Sequence, residues 1–73
     1  MPKLGIFSGT DLSRILERHG FSAVRQKGSH LVMQKRTGVT TVTVPIPMHR
    51  EIQLGTLQSI IRQSGLPRSL FER

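Results

Sequence analysis

The sequence predicts an α+β fold of order α-β-β-β-α, with two helices laid on one face of a three-stranded antiparallel sheet. Two observations carry that reading. The segments LSRILERHG and LQSIIRQSG both space their apolar residues along one helical face and both end in glycine. Between them lie three short runs rich in β-branched residues, separated by the glycine-containing breaks KGS and RTGV.

The first helix is expected over residues 9 to 19. Leu12, Ile15, Leu16 and His19 follow the i, i+3, i+4, i+7 spacing of one face. Ser8 can cap its start, Asp11 suits the positive end of the helix dipole, and Gly20 can close it in a left-handed conformation. From Phe21 the period changes. FSAVRQ, HLVMQK and TTVTV read as a meander of three strands, and in the third Val42 and Val44 alternate with Thr41 and Thr43. The second strand offers two faces, His30-Val32-Gln34 and Leu31-Met33-Lys35, and periodicity does not choose between them. Pro45 and Pro47 are expected to stop the sheet, because neither has an N–H for the ladder, which makes PIPMHREIQL an ordered loop. Leu57, Ile60 and Ile61 then carry the second helix, with Gly65 as its terminator, and Leu70 and Phe71 are expected to fold back onto the core. This order of elements is that of double-stranded RNA-binding domains.

At 73 residues, the chain is read as one domain spanning 1–73. A chain of this length buries only about 60% of its unfolded surface, so its core is thin. Eleven Lys and Arg against four Asp and Glu give a net charge of +7, which points to a polyanionic partner. The absence of cysteine excludes disulfides, thiolate catalysis and most zinc sites. The three histidines and four carboxylates show no ligand spacing of the H-E-x-x-H kind, so neither a metal nor another cofactor is expected. No apolar run reaches signal-peptide length or the roughly 18 residues of a membrane span, and the expected location is cytoplasmic.

Several short motifs occur here in a telling order: PKL, SG before the first helix, HGF after it, VRQKGSH across the first hairpin, VP at the end of the third strand, a His before EI, and GTLQSIIRQSGL. Together they make the chain similar to the HicA family of toxins from toxin-antitoxin systems. The resemblance implies a double-stranded RNA-binding-like fold, an mRNA interferase that cleaves RNA without a metal, and inhibition by a HicB-like antitoxin. It also implies that His30, in the GSH motif, is catalytic. The chain departs from many relatives in PIPMH and in GIF before SG, where basic residues are commoner.

The chemistry asks for little. RNA supplies its own 2′-hydroxyl nucleophile, so a ribonuclease needs a group to move protons and something to hold the phosphorane's charge. Histidine suits the first task because its unperturbed pKa lies near 6.5. On its residues alone, a His after a Gly-Ser turn reads as an exposed strand residue; the resemblance makes it the catalyst. Lys27 is expected to steady phosphate charge beside it, Gly28 to let the backbone turn tightly, and Ser29 to orient the imidazole or donate to phosphate. Arg25, Lys27, Lys35, Arg36, His49 and Arg50 are the expected RNA contacts, with Lys35 and Arg36 as distant phosphate anchors. His19 reads as a helix-end residue. The alternative function is a non-catalytic double-stranded RNA-binding module, against which GTLQSI offers no basic cluster at the start of the second helix. The basic surface also suits an acidic partner protein, and an antitoxin covering His30 would inhibit by occlusion.

Overall fold

A reciprocal capping box starts the first helix. Ser8 Oγ accepts from the Asp11 N–H at 3.0 Å, and Asp11 Oδ2 accepts from the Ser8 N–H at 3.0 Å, satisfying two donors that the first turn would leave unpaired. The computed structural model describes residues 3–72; Pro2 of the PKL motif, with Met1 and Arg73, lies outside them. Its order is α1 Gly9–Arg18, β1 Ser22–Lys27, β2 His30–Thr37, β3 Thr40–Pro47, α2 Leu54–Ser64 and a final 3-10 turn Arg68–Phe71. This is the expected α-β-β-β-α arrangement, with the antiparallel sheet in the order β1-β2-β3. Gly20 and Gly65 close the two helices at φ of 94° and 71°, where a side chain would be strained.

Both helices feed one core. Leu12 and Leu16 of α1 and Leu57 and Ile60 of α2 meet Met33, Val44 and Ile46 of the sheet, all at 2% exposure or less. Leu31 and Met33 therefore mark the inner face of β2. Phe7 and Phe71 join the same core edge to face, with ring centroids 6.2 Å apart. The two ends of the chain meet beside them, where Gly5 donates to the Phe71 carbonyl at 2.8 Å and Leu4 bridges Glu72. Among the described residues, no helix is long and apolar enough to cross a membrane.

The two prolines do not stop the sheet: β3 runs through Pro45 to Pro47, opposite Val32 and His30. The reason lies in the ladder's parity. Met48 donates to the Ser29 carbonyl at 2.7 Å, continuing the register one step past the strand, so Ile46 and Val44, of the same parity, turn their N–H groups toward β2. Pro45 and Pro47 fall on the alternate positions, where the backbone nitrogen faces the free edge. β3 is an edge strand, and no ladder bond is lost.

β1 carries a bulge. Ala23 pairs with Met33 and Arg25 with Val32, the very next residue, so Val24 is extra and 49% exposed. Beyond it Gln26 opposes Leu31 and Lys27 opposes His30. Had the register run on unbroken, Gln26 would have met His30 and Arg25 would have turned toward the core with Leu31. The bulge thus puts Arg25 and Lys27 on one face with His30.

Candidate functional site

Lys27 and His30 close the first hairpin around a two-residue loop, Gly28-Ser29. Gly28 has φ of 61° and Ser29 does not share the positive sign, the pattern of a type II′ turn, which reserves its first central position for glycine. A Cβ at Gly28 would meet nothing within 4 Å, so its requirement is conformational and not steric. Directly opposed residues of an antiparallel pair share a face, with Cβ atoms about 4.5–5.5 Å apart. His30 is exposed, and it stands on the face of β2 opposite to Leu31 and Met33.

Arg25 lies two residues from Lys27 on the same face and is also exposed. Arg36 shares that face but sits six residues along β2, about 20 Å from His30 at strand spacing. Lys35 is on the other face. Its Nζ lies 5.8 Å from the centre of the Phe21 ring, and its methylenes cover Gly20, where an added Cβ would come within 3.2 Å of Cε. Lys35 is thus not brought together with His30. Arg50 is exposed in the loop after β3. His19 caps the C-terminus of α1, with Nδ1 2.9 Å from the Ile15 carbonyl, which gives it a role in the helix end.

His49 comes to the site through a clamped loop. The His49 carbonyl accepts from the Gly9 N–H at 2.9 Å, the Met48 N–H reaches the Ser29 carbonyl at 2.7 Å, and the Ile52 N–H reaches the Phe7 carbonyl at 2.8 Å. Two separate segments, Phe7 to Gly9 and the Ser29 turn, therefore hold the stretch between β3 and α2. Gly9 makes this possible: a Cβ there would lie 2.4 Å from the Pro47 carbonyl oxygen and 2.7 Å from Met48 Cα.

His30 and His49 line one groove of about 490 Å³, between the free edge of β3 and α2. The rings of Pro45 and Pro47 form its strand side, because their nitrogens face that edge. Ile52 and Ile60 form its apolar floor, and Gln53, Thr56, Ser59 and Gln63 of the second helix and its N-cap add polar groups. Sequence reasoning misses these four. Thr56, Ile60 and Gln63 stand at i, i+4 and i+7 on one helical stripe, but a polar stripe reads as solvated surface until a proline edge is seen facing it. Among the described residues, no three His, Asp or Glu side chains gather as a metal would need.

Exposed imidazole, cross-strand cations and a bordering groove are an arrangement able to hold a phosphodiester and move a proton beside it. A family model described as the HicA toxin of bacterial toxin-antitoxin systems matches residues 9–66, a span that runs from the start of α1 past the end of α2 and contains Lys27, Gly28, Ser29, His30 and His49. No curated protein and no solved structure matches the chain significantly. With most of its length under that match, the chain belongs to the HicA toxin family.

Proposed function

We propose that the chain is an endoribonuclease of the mRNA interferase type, the toxin of a toxin-antitoxin pair, working as a single domain of double-stranded RNA-binding-like fold in the cytoplasm. The observation that carries this reading is the pairing of an exposed His30 with Lys27 on the outer face of the sheet. His30 acts as general acid-base, taking the proton of the RNA 2′-hydroxyl or returning one to the 5′-oxygen that leaves. A positioned group of this kind contributes about 10² to 10⁴-fold, enough for a slow interferase. Lys27 steadies the charge that develops on the phosphorane, and Arg25 holds the neighbouring phosphate. Gly28 sets the turn from which His30 projects, and Ser29, in the same turn, is within the motif that meets the phosphate. His49 and Arg50 contact RNA from the loop after β3, and Arg36 anchors it further along the same face. No metal is needed, because the nucleophile belongs to the substrate.

Membership of a toxin-antitoxin family implies an antitoxin partner. A HicB-like protein inhibits by covering His30 and the basic hairpin, so a complex that leaves cleavage intact would overturn the occlusion. The ribonuclease reading is tested by incubating the purified, antitoxin-free protein with labelled single-stranded and duplex RNA in the presence of EDTA. Cut products are expected; a duplex shift without cutting would replace the enzyme with a binding module.

A further inference from the structure

The groove beside His30 has a composition that does not suit phosphate. The chain carries eleven Lys and Arg, yet none of the described residues lining this groove is either, and one, Glu51, is a carboxylate. The cations that suit a phosphate, Arg25 and Lys27, lie on the sheet face outside the residues that line the groove. Beside Glu51 and the two imidazoles, what the groove offers is uncharged. Gln53 and Gln63 each present an amide donor and acceptor, Thr56 a hydroxyl, and among the described residues these three side chains have no hydrogen-bond partner within the protein. Ser59 Oγ is engaged by Arg62 Nη2 at 3.4 Å.

Paired donors and acceptors above an apolar floor of Ile60 and Ile52, walled by two proline rings, are what a flat, polar-edged heterocycle needs. The volume of about 490 Å³ falls within the roughly 300–1,000 Å³ range of small-ligand sites. We propose that this groove is a nucleobase subsite, in which Gln53, Thr56 and Gln63 read the edge of an unstacked RNA base next to the scissile phosphate. It deepens the ribonuclease reading: His30 stands at its mouth, so a base seated between β3 and α2 sets which phosphate reaches the imidazole.

The test has one arm independent of catalysis. The His30→Ala protein is titrated with each of the four ribonucleoside 3′-monophosphates and, separately, with ribose 5-phosphate, while the side-chain amide resonances of Gln53 and Gln63 are followed by NMR. Saturable shifts that differ among the four bases and are absent with the sugar phosphate are expected. No shift, or equal shifts with ribose 5-phosphate, overturns the subsite, as do amides that ignore nucleotides and respond only to the antitoxin. In the second arm, wild-type protein and the Gln53→Ala, Thr56→Ala and Gln63→Ala variants cut a randomised RNA, and the base flanking each cut is counted. Base preference is expected to fall about threefold to tenfold for each side chain removed, the range one net hydrogen bond covers. Gln58→Ala, away from the groove, should leave it unchanged. A wild-type protein that cuts nothing defeats the ribonuclease reading and leaves the first arm to decide the subsite; one that cuts with a preference unmoved by all three variants defeats the subsite alone.

Discussion

Lys27 and His30 are direct cross-strand partners, joined by the two-residue Gly28-Ser29 turn and facing away from the core. That relationship depends on the bulge at Val24 earlier in β1, since an unbroken register would set Gln26 opposite His30 instead.

The bulge therefore makes a contrast between two deletions. Removing Val24 leaves Ala23, Arg25, Gln26 and Lys27 opposite Met33, Val32, Leu31 and His30 in a regular ladder, so RNA cleavage should persist and unfolding free energy should stay within about 1 kcal/mol. Removing Gln26 lets the ladder become regular only by turning Arg25 toward Leu31. That protein should be less stable in urea and bind RNA less well. Equal behaviour of the two deletions would remove the bulge from the account.

Charge on the sheet face should be readable in salt. Arg25→Ala and Lys27→Ala should each weaken single-stranded RNA binding and reduce the salt slope by about 0.7 for each phosphate that is no longer neutralised. Lys35→Ala is expected to differ. Its ammonium sits over Phe21 and its stem over Gly20, so the effect should appear as about 0.5–1 kcal/mol of stability with little change in the salt slope. Fluorescence anisotropy across a salt series and a urea melt separate the two effects.

Gly9→Ala tests the clamp on the His49 loop. Alanine usually favours a helix over glycine by up to about 1 kcal/mol. Here the new methyl group meets backbone at 2.4 Å and 2.7 Å, which cannot swing aside as a side chain could. A net loss of about 1–3 kcal/mol is expected, lowering Tm by roughly 4–8 °C for each kcal/mol. A variant as stable as the parent would show that the loop yields freely.

Much of this architecture is legible in the residues, and the exceptions have physical causes. Ser8, Asp11 and Gly20 mark α1 because capping and left-handed closure are local chemistry. Phe71 is placed in the core by its apolar neighbours, yet its partner Phe7 is not, since a ring just before a cap gains its burial only when the two chain ends meet. Pro45 and Pro47 mislead because a missing N–H ends a strand only on the bonded positions; which positions those are is fixed by register with β2 and not by composition. The bulge at Val24 leaves no mark in the pattern for the same reason. At the site, His30, Lys27 and Gly28 can be picked from the GSH hairpin, whereas Gln53, Thr56 and Gln63 stand on a distant stretch of the chain and meet His30 only through the packing of α2 along the β3 edge.

The central claim is that His30 does the chemistry, and cleavage by a folded His30→Ala protein measures it most directly. His30 is exposed, so its replacement should change stability by no more than about 0.5 kcal/mol, which circular dichroism and a thermal melt can verify. With the fold intact, RNA cleavage should drop by about 10² to 10⁴-fold and the growth arrest caused by expressing the toxin should disappear. Cleavage at the wild-type rate by that folded protein would contradict the account.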